Sequence, residues 1–276
     1  MKIIYKSGKV LLFALIDWLA GSRIGNHILS VVVDRVVTAT VNVKHQDTIL
    51  LFSTPNWLAH YRAQTFSTKE PDTLTWLEVI PEGAVFWDVG ANVGLYSIYA
   101  AKKRGAHVFA FEPSVFNLEL LARNIYINEL QDKIIIIPVA LSDALGPSKF
   151  KMSSTAWGGA LSTFGQDFDQ YGNKLKSIFE YQTIGVSMND AVSLLGIPAP
   201  DFIKIDVDGI EHLILRGGAN ILNHVQSVLV EISDDFAQQA EESTRHLIAA
   251  GLELKQKCSM LDTTNQYNQW WVRRPN

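Results

Sequence analysis

From about residue 81 onward, short apolar runs alternate with stretches of helical period. Residues 85–89, 108–111, 134–141, 202–207 and 228–232 are almost continuously apolar, the pattern of strands buried on both faces in a parallel sheet. Between them, residues 95–103, 114–128 and 210–222 place apolar side chains at helical spacing, and a further helix is expected over 236–250. Residues 252–257 and 269–272 supply two more strands, the last antiparallel. Residues 149–152 and 183–186 read as short edge strands, and Ser187-x-x-Asp190 opens a helix reaching Leu195. This alternation predicts an α/β fold: a seven-stranded, mostly parallel sheet with helices on both faces.

The first eighty residues differ. Residues 31–43 and 48–52 alternate like a hairpin, and helical or irregular segments follow to Ile80. The expected division is a cap over 1–80 and a catalytic-type domain over 81–276. Lys2, Lys6 and Lys9 precede an apolar run over 10–20 that superficially resembles a signal peptide. Asp17 interrupts the run, which is shorter than the roughly 20 apolar residues that cross a bilayer. It is read as a helix packed on the domain rather than as a peripheral membrane contact. Residues 153–176, with Gly158, Gly159, Gly165 and Gly172, lack clear period, and a loop this long usually serves as a lid or substrate loop.

Composition narrows the class. A chain of 276 residues with 47% hydrophobic content can bury a sizeable core. A formal net charge of -4 gives no reason to expect a nucleic-acid partner, and Cys258, the only cysteine, excludes an intrachain disulfide.

The chemistry concentrates in two segments. Phe86-Trp87-Asp88-Val89-Gly90-Ala91-Asn92-Val93-Gly94 is an apolar run ending in an acid and a Gly-x-x-x-Gly turn, and Val108-Phe109-Ala110-Phe111-Glu112-Pro113 ends the next strand in a carboxylate. The turn lies at the carboxyl end of a strand, where open α/β sheets bind ligands, and Glu112 can accept from both hydroxyls of a ribose. A dinucleotide would need Gly-x-Gly-x-x-Gly to bring backbone N–H groups to its pyrophosphate. Here Asn92 holds the third position and Asp88 would sit near those phosphates. S-adenosylmethionine has no phosphate and carries an ammonium that Asp88 could attract directly or through water. The plainer alternative is a generic turn in which Asp88 caps backbone amides.

The second segment is Phe202-Ile203-Lys204-Ile205-Asp206-Val207-Asp208-Gly209-Ile210-Glu211. Strand alternation puts Lys204 and Asp206 on one face, and a buried charge demands a partner. Asp88 and Glu231 are candidates, since the fourth strand should lie between the first and the fifth. Asp208 and Glu211 have the spacing of a capping box. Asp206 has no such structural explanation and is the first candidate for a catalytic or substrate-orienting residue.

Asp88 to Ser97, Phe111-Glu-Pro113, residues 139–143 and residues 203–211 together resemble the FkbM family of S-adenosylmethionine-dependent methyltransferases, over roughly 83–235. Residues 62–74 also resemble the stretch before the first motif in part of that family. The resemblance implies a class I, Rossmann-like methyltransferase fold and methyl transfer to an oxygen of a sugar, glycan or related acceptor. It places Asp88, Gly90, Ala91, Asn92 and Gly94 around the methionine end, Glu112 and Pro113 at the ribose, and Ala140, Ser142 and Asp143 at the adenine. Asp208 departs from it, because the family often has Glu there. A cofactor made in the cytosol makes a cytoplasmic location the expectation.

Methyl transfer to a neutral hydroxyl needs in-line alignment, and a group that takes the proton adds about 10² to 10⁴. Asp206 is the expected base or orienting group, with Lys204 holding it ionised; His60 and His212 are alternatives, the latter also readable as a helix-surface residue. Trp57, Tyr61 and Trp157 are candidates for an acceptor wall, or ordinary packing residues. Glu231 is a further acceptor-site candidate, and Arg62 and Lys69 could hold the cofactor carboxylate or an anionic acceptor. The remaining histidines show no ligand spacing, so no metal is assigned. The readings left open are an O-methyltransferase, a nitrogen-directed or metal-assisted enzyme of the same fold using Asp206 and Glu231, a non-catalytic cofactor-binding scaffold, and a nicotinamide oxidoreductase.

Overall fold

The computed structural model describes residues 2–259 and 264–274, with side chains from residue 9 onward. The chain opens with α1 (Lys2–Ala20), α2 (Arg23–Val37), the hairpin β1 (Thr40–His45) and β2 (Thr48–Ser53), α3 (Trp57–Lys69) and α4 (Pro71–Glu78). There follow β3 (Val85–Val89), α5 (Leu95–Arg104), β4 (His107–Phe111), α6 (Val115–Ile127), β5 (Ile134–Ile137), β6 (Ala140–Ser142), β7 (Gly146–Met152), β8 (Ser162–Phe164) and β9 (Phe179–Ser187). The last part is α7 (Met188–Ser193), β10 (Phe202–Ile205), α8 (Glu211–Arg216), α9 (Ala219–Leu222), β11 (Ser227–Ser233), α10 (Ala237–Ala249), β12 (Leu252–Ser259) and β13 (Gln266–Arg273).

Seven strands form one sheet in the order β12-β13-β11-β10-β3-β4-β5. β11, β10, β3, β4 and β5 run parallel, while β13 is antiparallel to both its neighbours. From β3 the chain winds outward through β4 and β5, then returns to β10 on the other side. The strand order therefore reverses between β3 and β10, and a crevice forms beyond their carboxyl ends. Alternation splits the core between the two faces. Trp87, Val89, Phe111 and Ile205 pack on one side, and Phe86, Val108, Ala110 and Phe202 on the other. Phe66, Leu74, Trp76 and Leu77 share this second core with Phe86 and Tyr99, so the boundary expected at residue 80 does not interrupt it.

Several expected elements differ. Residues 31–37 belong to α2, not to a strand: the β-branched valines suggested one, but Ser22 caps a helix by accepting from Gly25 N at 2.9 Å. The strand expected over 134–141 breaks at Pro138. β5 stays in the main sheet, and β6 joins a second sheet of order β6-β9-β7-β8. The helix expected over 210–222 divides into α8 and α9 at Gly217 and Gly218. Finally, α1 does not pack on the domain. Its main neighbour is α2, and its large apolar side chains from Val10 to Ile16, with Trp18, face outward.

Candidate functional site

The turn after β3 is shaped by close approach. Gly90 has φ +82, and a Cβ there would lie 1.9 Å from the carbonyl oxygen of Asp206, so only glycine lets the turn reach the end of β10. Gly90 N and Ala91 N donate to Phe111 O at 3.0 and 3.1 Å, tying the turn to β4. Asn92, at φ +52, donates its backbone N–H to Glu112 Oε2 at 2.8 Å, and Ser114 N donates to Oε1 at 2.7 Å. Glu112 is buried, and burial pushes its carboxyl up to about 7 against those donors. Asp88 lies behind the turn, also buried. Its Oδ2 accepts from Ser97 Oγ at 2.5 Å, Oδ1 has no partner, and burial raises its pKa although Lys204 opposes this.

In β10, Lys204 stands in register with Asp88 of β3 and Leu229 of β11. Its ammonium donates to Asp206 Oδ2 at 2.6 Å and lies 5.0 Å from the centre of the Tyr96 ring. Of the expected partners of Lys204, the direct one is Asp206, the carboxylate it was expected to hold ionised, and neither Asp88 nor Glu231 bonds it. Burial works to lower the Lys204 pKa, but the charges of Asp206, Glu70 and Asp88 outweigh it and hold it raised. For Asp206, burial works upward, yet Lys204, with Lys69 and Arg62, keeps its carboxyl below the usual range. Glu231 shows the opposite outcome: burial, then the negative charges of Asp206, Glu70 and Asp208, push it well up. Gln266 Nε2 donates to its Oε1.

These groups share one cavity of about 270 Å³, lined by Arg62, Lys69, Glu70, Lys204, Asp206, Asp208, Glu231 and Gln266 and, on the turn side, by Gly90, Ala91, Asn92 and Val93. Glu70 and Gln266 escaped the sequence reading. Glu70 precedes α4, is buried, and accepts from Thr73 Oγ1 at 3.1 Å; its place before Pro71 gives no local sign of that burial.

Behind the turn, the segment from Ser153 to Leu161 closes over Glu112. Asn92 Nδ2 and Asn117 Nδ2 both donate to Gly159 O, at 2.8 and 3.1 Å, and Arg62 Nε donates to Gly158 O at 2.7 Å. Asp208 Oδ2 accepts from Leu161 N at 2.7 Å and Ser162 N at 3.2 Å. The capping box expected of Asp208 and Glu211 does not form. Asp208, at φ +63, holds the loop instead, and no side chain caps α8. Glu211 is buried and accepts from Val207 N, Gly209 N and Gln239 Nε2. Two small cavities lie behind the turn, the first of them under this loop. One, of about 60 Å³, is lined by Glu112, Pro113, Asn92 and Asp208; the other, of about 30 Å³, by Phe111, Ala140, Leu141, Phe150 and Ile210. They have room for a few waters but not for a purine.

Other expected residues lie elsewhere. Gly94 lines none of these cavities; its φ is +84, and Leu121 Cδ1 approaches where a Cβ would be to 2.4 Å. Ser142 and Asp143, expected at the adenine, line neither small cavity, and Asp143 pairs with Arg216. Tyr61 is exposed and outside the large cavity, while Trp157 donates its indole N–H to Glu119 Oε2 at 2.8 Å. His60 lies against the exposed Trp57. His212 is not a surface residue: it is buried against Phe168 and Phe236.

A sheet with this order, a glycine turn after its central strand and an acid ending the next strand define a class I methyltransferase domain. The methyltransferase FkbM domain matches residues 88–256, and the chain belongs to that family of S-adenosylmethionine-dependent methyltransferases. Among curated relatives, the hexuronic acid methyltransferase AglP of Haloferax volcanii is 30% identical over 156 residues, 56% of this chain and 59% of that protein. The methyltransferase sdnD of Sordaria araneosa is 24% identical over 159 residues, 50% of this chain and 61% of that protein. The chain thus spans about three fifths of the length of the curated relatives it matches. Among solved structures, a precorrin-6y C5,15-methyltransferase from Geobacter metallireducens aligns with a TM-score of 0.43 at 13% identity, covering 81% of this chain and 94% of that one.

Proposed function

We propose that the protein methylates a hydroxyl of a sugar that carries a carboxylate. The supporting observation is the 270 Å³ cavity, which joins the Gly90–Val93 turn to an ionised Asp206, a Glu231 kept protonated by its surroundings, and the cations Arg62 and Lys69. The hexuronic acid methyltransferase among its relatives agrees with that charge arrangement.

The residues fit the cofactor by their chemistry. Asn92 N and Ser114 N leave each Glu112 oxygen a lone pair for a ribose hydroxyl, and Phe111, Leu141, Phe150 and Ile210 offer apolar surface to a base. When bound, S-adenosylmethionine supplies an electrophilic methyl group on sulfur. Asp206 accepts a hydrogen bond from the acceptor hydroxyl, orients its lone pair and takes up its proton as the oxygen becomes an ether. Lys204 fixes the Asp206 carboxylate in place. Protonated Glu231 donates to a second hydroxyl, and Arg62 and Lys69 hold the sugar carboxylate.

The test compares a hexuronic acid glycoside with the corresponding neutral hexose glycoside, following S-adenosylhomocysteine formation. The acidic sugar should react with the lower KM, and Arg62→Ala should raise that KM by a larger factor than it raises the KM of the neutral sugar. Equal KM values for the two sugars, or methylation of amines alone, would reject the proposal.

A further inference from the structure

Among the described residues, exposed large apolar side chains concentrate in the helical pair at the start of the chain. Val10, Leu11, Leu12, Phe13, Leu15 and Trp18 of α1 each expose more than half of their surface. The pair is nevertheless a built unit. Ser22 Oγ accepts from Gly25 N at 2.9 Å, Asn26 Nδ2 donates to Ala20 O at 2.8 Å, and a Cβ on Gly25 would lie 2.0 Å from Leu19 O. The two helices therefore cross in backbone contact at a fixed turn.

Two features point to what covers them. Residues 10–16 are consecutive apolar residues, so nearly two helical turns are apolar around the full circumference. A helical partner buries one stripe and leaves a polar outer face; an all-round apolar helix needs an apolar surrounding. In α2 the polar residues Arg23, His27, Ser30 and Asp34 recur at helical spacing opposite the exposed Ile24, Ile28, Val31 and Val32. Charge is the second feature. Lys2, Lys6, Lys9, Arg23 and Arg35 outnumber Asp17 and Asp34 here, although the whole chain has a net charge of -4. The pair is the cationic end of an otherwise anionic protein.

We propose that α1 and α2 dock on an anionic phospholipid bilayer, lying in the boundary between headgroups and acyl chains of one leaflet. Among the described residues no helix is long and apolar enough to cross a membrane, so the docking is interfacial. An anionic surface attracts the pair and repels the acidic remainder, which orients the protein. This inference does not depend on the acceptor proposed above.

The experiment is flotation of the full chain with vesicles of phosphatidylcholine and phosphatidylglycerol, against vesicles of phosphatidylcholine alone. Binding to the anionic vesicles should be on the order of a hundredfold tighter and weaken with salt, and Lys9→Gln should reduce it about fivefold. The double variant Leu12→Asp, Phe13→Asp should lose it at least a hundredfold, with thermal unfolding unchanged because both side chains are exposed. Brominated lipid should quench a fluorescence component that Trp18→Phe removes. The proposal is overturned by absence of vesicle binding, by equal binding to both vesicle types, or by binding that the double variant retains. A solution dimer that the double variant dissociates, without vesicle binding by the parent chain, would assign the surface to a second copy instead.

Discussion

Asp206→Asn separates catalysis from cofactor binding. The amide keeps an oxygen for the Lys204 ammonium, now 2.6 Å from Oδ2, and removes one charge. Opposite charges in a partly solvated protein site attract by on the order of 4 kcal/mol. That figure is an upper limit here, because Asp206 is 27% exposed and Glu70 and Asp88 still face the ammonium. A net stability loss of about 1 to 3 kcal/mol is expected in urea or thermal unfolding. Turnover should suffer more. Loss of the group that accepts the hydroxyl proton should lower kcat by about 10² to 10⁴, or roughly 3 to 5 kcal/mol in activation free energy. Steady-state formation of S-adenosylhomocysteine gives kcat, and calorimetric titration gives the S-adenosylmethionine Kd, which should change less than about threefold, or about 0.7 kcal/mol. A Kd that weakens as much as kcat falls would make Asp206 a structural part of the cofactor site. A kcat within a few-fold of the parent would remove it from the reaction.

Glu112→Gln should weaken S-adenosylmethionine binding by about 1.5 to 3 kcal/mol in calorimetry, as expected for lost charge-assisted hydrogen bonds. Because the Glu112 carboxyl lies at about 7, parent affinity should decline as pH falls through 7 and the carboxylate is protonated, a slope the variant lacks. Gly90→Ala must place a Cβ against Asp206 O at φ +82, so it should cost about 1 to 3 kcal/mol or more in unfolding and abolish cofactor binding. Glu211, raised from 4.5 to about 7 by burial, holds its proton more tightly folded than unfolded. The stability it contributes is full below 4.5 and is lost as pH rises to 7, by on the order of 3 kcal/mol; the pH dependence of unfolding for Glu211→Gln should be flatter by about that amount. Cofactor entry into the cavity of about 60 Å³, which Gly159 and Ala160 line, requires the Ser153–Leu161 segment to move. Hydrogen exchange at Gly158 and Gly159 should therefore change when S-adenosylmethionine is added, and an unchanged pattern would contradict that requirement.

The parallel sheet was legible because its strands are buried on both faces and leave continuous apolar runs, and the turn because its glycines take φ +82 and +84, which other residues resist, Gly90 also meeting the backbone of Asp206. Local spacing misled where a distant contact decided the outcome. Val31 to Val33 resemble a strand, but the Ser22 cap and the polar period from Arg23 to Asp34 carry them into α2. Asp208 and Glu211 have capping-box spacing, yet the loop at Leu161 and Ser162 captures Asp208 first. Glu70 and Gln266 come from opposite ends of the chain and meet the strand ends only through packing. No local pattern in either segment signals that meeting.

The distribution of charge in the large cavity has its own logic. Glu70, Asp206, Asp208 and Glu231 line it with Lys204, and Lys204 is buried. Arg62 and Lys69 line it too, and Lys69 pairs with Glu70, so three cations face four carboxylates and at low dielectric the least compensated carboxyl holds a proton. Lys204 settles which group stays ionised by bonding Asp206 directly. Asp208 then rises to about 6 with burial and the Asp206 charge, and Glu231 rises well beyond its ordinary range. The result is an ionised acceptor and a protonated donor side by side at the ends of adjacent strands, both lining one cavity. A sugar hydroxyl both donates and accepts, so neighbouring hydroxyls on one ring can satisfy both groups, whereas an ammonium substrate would leave the Glu231 proton unpaired. The same coupling predicts that Lys204→Met disturbs more than Asp206 alone: with the ammonium gone, Asp206 has to compete with Glu231 for a proton. The pH at which activity falls should then move upward from the acidic range, where the lowered Asp206 pKa places it in the parent enzyme.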